Sequence, residues 1–393
     1  MNGAWAFELA LMGARLEPVE QAWIKVRDGV IVETGWGSPP IGAKRRRIGM
    51  PGLVDAHVHL GLDGGNDVAA AADRMDIAEL RRLVAHNAGR QVSSGVTTVR
   101  DLGAPRDVVL AMVDEGTLPP GKAPHVVPGV ALSHPNGHGN FLARHASTRD
   151  GFLHAITEIA QSGGRLVKLF ATGGVITAGS TPDAVQMPAD DLAEATGLAH
   201  RLGLKVAVHA HGQPGIANAL AAGVDSIEHF SYLDEQLVPK LGGCTLVSTL
   251  VATERFVNAD DRSAATPETL AKILAHVAHE REGTRLAARL PGHMAVGTDA
   301  GTTFNPHGWG MQEQGELLTA AGLAVDAALI AMTARGADLV DPACGVLDVG
   351  RRADFLCLEG NPLDDLDSLR AIEEVVIAGE VAHMRPRTPA RSS

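Results

Sequence analysis

The sequence predicts an α/β protein: a (β/α)8 TIM-type barrel with a small β-sandwich domain formed from both chain termini. Three observations predict it. Eight short, apolar, strand-like runs alternate with helical patterns through the middle of the chain. Both ends lose that alternation and read as strands and turns. The length, 393 residues, exceeds one average domain but suits a large barrel with a small companion. Residues 1–49 and 346–393 then form the composite β domain, and residues 50–345 the barrel.

The N-terminal stretch contains a hairpin signal, Trp23-Ile24-Lys25-Val26 and Gly29-Val30-Ile31-Val32 around the turn Arg27-Asp28-Gly29. The basic cluster Lys44-Arg45-Arg46-Arg47 reads as a solvated linker ahead of the barrel rather than an anion patch. Strand-like runs follow at 53–59, 97–102, 126–132, 166–171, 205–211, 226–230, 245–250 and 294–298. Helical patterns at 77–94, 188–202, 215–222 and 267–289 fall between them, and two more, 312–321 and 325–339, follow the last strand. β character returns in Gly345-Val346-Leu347-Asp348-Val349-Gly350, in 353–358 and in 375–379. Residues 385–393, rich in Pro, Arg and Ser, read as frayed.

Composition narrows the class. Hydrophobic content of 45% allows a sizeable core, and a net charge of −12 argues against nucleic-acid and anionic-membrane partners without identifying a substrate; a small-molecule substrate is the partner expected. No apolar run is long enough to span a bilayer. Cys244, Cys344 and Cys357 are too scattered for a disulfide framework, and the N-terminus lacks a basic leader, so a reduced, cytoplasmic setting is expected. A homo-oligomer is compatible with this composition.

The loops at strand C-termini build the site of such a barrel. In Pro51-Gly52-Leu53-Val54-Asp55-Ala56-His57-Val58-His59, strand alternation turns His57 and His59 to one face, as two imidazoles gripping a divalent metal would be. Strand four offers Lys168 between apolar neighbours, strand five His209 and His211, strand six His229 and strand eight Asp299. Singly, each has a plain alternative: Lys168 a snorkelling lysine, His229 a satisfied core histidine, Asp299 a turn or cap residue. Together they point to one metal-binding constellation.

These residues, with Gly297-Thr298-Asp299-Ala300-Gly301, resemble the amidohydrolase superfamily over nearly the whole chain. Within it the chain is similar to the Xaa-Pro dipeptidase (prolidase) and metal-dependent carboxypeptidase group. That similarity rests on Gly95-Val96-Thr97-Thr98-Val99-Arg100-Asp101-Leu102-Gly103, Lys168-Leu169-Phe170-Ala171-Thr172-Gly173-Gly174-Val175 and Asn305-Pro306-His307-Gly308. The resemblance implies a binuclear metal site. Lys168, carboxylated by CO2, would bridge two divalent ions; His57, His59 and Asp299 would complete one and His209 and His229 the other. Zinc is the default, with manganese or iron acceptable to the same donors. The implied reaction is hydrolysis of a C–N amide bond in an Xaa-Pro-like dipeptide or N-acyl amino acid, with Asp299 as general base and then acid.

The resemblance also implies that His138 and Tyr232 bind the substrate's terminal carboxylate. His211 is a second strand-five ligand candidate, and His307 either lines the mouth of the site or is a turn residue. His134-Pro135-Asn136 and Asn140 depart from the group's pattern and bear on substrate preference. Alternatives are a cyclic amidase (imidazolone- or hydantoin-opening) or a lactonase. A deaminase is disfavoured because a bridging Lys168 has no job at one metal, and a non-catalytic homologue because every expected ligand type is present.

Overall fold

The computed structural model describes residues 3–175, 180–260 and 267–386. The tail 387–393, most of the segment expected to fray, lies outside them. Eight parallel strands run in sequential order around a barrel: β1 (Leu53–Val58), β2 (Val96–Asp101), β3 (His125–Ser133), β4 (Leu166–Phe170), β5 (Lys205–Ala210), β6 (Ser226–His229), β7 (Thr245–Ser248) and β8 (Met294–Val296). A parallel bridge between Val58 and Ala300, with the Asp299 amide donating to the His57 carbonyl, carries the end of β8 back to β1. The strands are β-branched and buried because helices cover the outer face, as parallel pairing requires. The helix Ile77–Ser93 opens on a capping box between Asp76 and Glu79 and buries Leu80, Val84, Ala88 and Val92.

The chain ends meet in one eight-stranded sheet. In it Phe355–Leu358 pairs with Lys44–Pro51, which in turn pairs with Gly3–Met12. Trp5 and Phe7 pack edge-on to Phe355, with ring centroids 5.2 and 6.0 Å away, in this sheet's own core. The hairpin forms between Ala22–Arg27 and Val30–Trp36, turning through Asp28 and Gly29, both at positive φ.

Two local readings change. The basic cluster belongs to the strand Lys44–Pro51, not to a linker. Lys44, Arg45 and Arg47 are exposed and Arg46 pairs with Glu374, so a solvated sheet face accommodates the charge. Residues 345–350 form turns rather than a strand, while the strand and turn expected at 375–379 form as Ile372–Ile377 and are continued by a return strand the sequence reading lacked, Glu380–Met384, which closes the sheet edge. Among the described residues no helix is long and apolar enough to cross a membrane.

Candidate metal centre

Strand one ends the way its alternation requires. His57 and His59 turn Nε2 toward the same Asp299 oxygen, at 3.2 and 3.3 Å. The three donor atoms lie within 4.8 Å of one another, the only such group of three among the described residues. Each ring is held from behind. Nδ1 of His57 meets the Glu228 carboxylate at 3.0 Å, and Nδ1 of His59 meets the Gly103 carbonyl at 2.8 Å. Both bonds fix the tautomer that leaves Nε2 for a ligand role.

Strands five and six supply the next pair. The His209 ring lies 4.7 Å from that of His229, which lies 5.1 Å from His57. His209 gives Nε2 to the Gly173 carbonyl at 3.1 Å, leaving Nδ1, and His229 is engaged at Nδ1, 2.7 Å from Thr249 Oγ1, which turns Nε2 away from that contact. His229 and Asp299 both sit at positive φ, +73° and +53°. Two non-glycine residues in that region at strand ends are unfavourable locally and belong where the surrounding structure dictates side-chain direction.

Lys168 projects into the same cavity, 1% exposed, and its ammonium nitrogen has no hydrogen-bond partner. Burial pulls its pKa down to about 8 against the opposing charges of Glu228 and Asp299. Burial, then neighbouring imidazoles and Lys168, hold His209 and His229 well below their ordinary range, so both are neutral donors. Burial opposes charge on Asp299 as well, but His57 and His59 overcome it and keep the carboxylate ionised. Four imidazoles, a carboxylate and a partnerless amine fit divalent cations better than any organic cofactor.

All six residues line one cavity of about 480 Å³. His138 lines it too, its ring 4.5 Å from His209 and seated over Gly174, where a Cβ would lie 2.3 Å from its Cε1. Burial lowers its pKa to about 4. Asn140 reaches back to the Pro135 carbonyl and shapes the same wall, whose apolar part includes Phe141, Phe170, Val175, Phe256 and Ile273. Tyr232 is not among the described lining residues: it stacks on His279, centroids 4.3 Å apart, at the edge of the helix Pro267–Ala288. His307 is buried away from the mouth, bonding the His59 carbonyl through Nε2 and Gln91 through Nδ1. A larger groove of about 1330 Å³ along the terminal sheet carries four arginines and four glutamates and none of these donors.

The supporting groups escaped sequence reasoning. Glu228 is wholly buried, bonded by Arg100 at 2.9 Å and by Ser226 at 2.5 Å. Burial opposes its charge, but Arg100 brings its pKa to about 2. Asp55 accepts from Thr298 N at 3.0 Å and Thr298 Oγ1 at 2.6 Å, tying the Asp299 loop to β1. The available signal was a lone Glu and a lone Arg inside apolar strand runs.

A model of the amidohydrolase family matches residues 48–382. Ochratoxinase of Aspergillus niger is 28% identical over 392 residues, covering 89% of this chain and 80% of that protein. Its crystal structure superposes with a TM-score of 0.85 at 24% identity, covering 97% of this chain and 96% of that one. A prolidase complexed with N-methylphosphonate-L-proline gives 0.86 at 25% identity, over 98% and 100%. An Xaa-Pro dipeptidase with methionine bound in its active site gives 0.84 at 22%, over 97% and 99%.

Proposed function

The chain belongs to the amidohydrolase family and is a hydrolytic enzyme; we propose that it cleaves the C–N amide bond of a dipeptide or N-acyl amino acid in a metal-dependent reaction. The observation that carries this reading is the convergence of six donors from five strand ends on one cavity. His57, His59 and Asp299 would hold one divalent ion, His209 and His229 a second, and Lys168, carboxylated, would join them. The buried, partnerless Lys168 nitrogen supports that last assignment. When bound, such ions acidify water and polarise a carbonyl.

The protein's own residues do the rest. Asp299, ionised and reaching into the cavity, takes a proton at a carboxylate oxygen as attack begins and returns it to the departing nitrogen. An amide nitrogen leaves only when protonated, so one group serving as base and then acid suits this bond. Glu228 and the Gly103 carbonyl hold the strand-one imidazoles still. The aromatic wall receives an apolar side chain and excludes water. His138, its ring 4.5 Å from that of His209 and tilted against it, is the residue we assign to the substrate's carboxylate. Tyr232 would share that role only by reaching the mouth from the helix edge. Buried free cysteines support a reducing, cytoplasmic setting.

A library of dipeptides and N-acyl amino acids, screened with zinc-, manganese- and iron-loaded protein, tests the reading. Release of a free amino acid from members with apolar side chains is expected. Ring opening of hydantoins or lactones, with every linear amide untouched, would reassign the enzyme to cyclic substrates.

A further inference from the structure

His211 lines the cavity but belongs to neither proposed metal position. Its ring lies 4.5 Å from His209 and 4.9 Å from His229. Its Nδ1 is 2.8 Å from Ser231 Oγ, and that same hydroxyl is 3.0 Å from Nε2 of His276 on the helix Pro267–Ala288. All three side chains are buried. A polar chain thus runs from the cavity wall into the helix.

A hydroxyl carries one proton, so the chain has two possible polarities. A neutral imidazole likewise carries its proton on one of its two nitrogens. If Ser231 donated to His276, the His276 proton would sit on Nδ1, and that atom has no hydrogen-bond partner. The result would be a buried N–H without an acceptor, among the rarest defects in folded proteins. The opposite polarity leaves only a lone pair there. His276 therefore donates to Ser231, Ser231 donates to Nδ1 of His211, and His211 keeps its proton on Nε2, the nitrogen left toward the cavity.

We infer that His211 is a substrate-binding hydrogen-bond donor, its Nε2–H receiving a carbonyl or carboxylate oxygen of the bound amide, with Ser231 and His276 as positioning residues that fix its tautomer. The identity of the substrate oxygen rests on the amide-hydrolase reading above; the tautomer does not.

Two arms test it. In zinc-loaded protein labelled with ¹⁵N-histidine, proton–nitrogen correlation spectra, assigned by comparison with H211Q, report which nitrogen of His211 is protonated. Protonation at Nε2 is expected, with a tautomer mixture in S231A and recovery in S231T. A proton on Nδ1 in the wild type overturns the inference. In the second arm, on amides found by the screen, H211Q with a full metal complement raises KM roughly tenfold, the size of one hydrogen bond, with kcat changed far less. S231A shifts KM the same way and S231T restores it. Loss confined to free acids assigns the oxygen to the carboxylate, and equal loss on C-terminal amides assigns it to a carbonyl. Unchanged KM and kcat, or loss of bound metal from H211Q, overturns it. The spectra need no substrate, so failure of the amide reading leaves the first arm decisive.

Discussion

A lysine nitrogen buried without a single hydrogen-bond partner destabilises a fold unless it serves another purpose. Lys168 is such a nitrogen, and its lowered pKa of about 8 gives it a neutral-amine fraction near physiological pH, the form that can take up CO2. K168A is expected to retain about one of the two metal ions per chain by elemental analysis and to lose at least about 10²-fold in kcat. Asp299→Asn should keep some metal yet lose roughly 10²–10⁴-fold in kcat, since proton transfer fails.

Glu280 makes a different prediction. Burial, opposed by the Thr253 hydrogen bond, raises its pKa from 4.5 to about 7. Between those values the unfolded chain has released a proton that the native state retains. The stability it contributes is therefore full below pH 4.5 and lost as pH rises to about 7. Urea unfolding should show E280Q without this slope; identical pH profiles for both proteins would contradict it. At this scale the meeting of the candidate ligands in one cavity was legible because a strand's two-residue period and its position in the barrel fix where side chains go. Thr249, Gly103 and Gly173 were not, because a hydroxyl or carbonyl that holds an imidazole leaves no pattern in the sequence.

Strands β2, β6 and β1 are joined below the centre by Arg100, Glu228 and His57. The guanidinium bonds the Ala56 carbonyl at 2.6 Å and the Glu228 carboxylate at 2.9 Å, and Glu228 in turn bonds His57. E228Q should fold and weaken metal affinity 10–100-fold in competition titrations with a chelator, a loss expected for a carboxylate that orients a ligand imidazole. Unchanged affinity would show that the His57 ring is held by packing alone. The loops that follow β3 and β4 interlock through glycine. A methyl group at Gly174 would strike the His138 ring, so G174A should raise KM with little change in metal content. Element order was legible from alternating apolar runs and helical periodicity. Element ends were not: the run expected to continue to residue 250 stops at Ser248, where a helix begins at Leu250. The apolar residues there continue without a break, and hydrophobicity alone does not separate a strand end from a helix start.

The whole molecule depends on a joint between two sheets. Arg352, just ahead of Phe355–Leu358, bonds Asp354 at 2.5 Å, Asp341 at 2.8 Å and Thr98 of β2 at 2.8 Å, bolting the terminal sheet to the barrel. R352M should destabilise the protein by on the order of 3 kcal/mol by leaving Asp354 buried and unpaired, read as a lowered thermal midpoint. The barrel was legible from its repeating strand–helix rhythm. The joining of both termini was legible only as β character at each end; the interleaved order, with Phe355–Leu358 beside Lys44–Pro51, depends on long-range pairing that no local pattern encodes. The central claim is that Lys168 joins two metal positions drawn from five strand ends. Counting metal ions per chain in purified, zinc-reconstituted protein tests it most directly. Two ions per wild-type chain, with the second lost in K168A, is the expected result; a single ion per wild-type chain, unaffected by K168A, would contradict it.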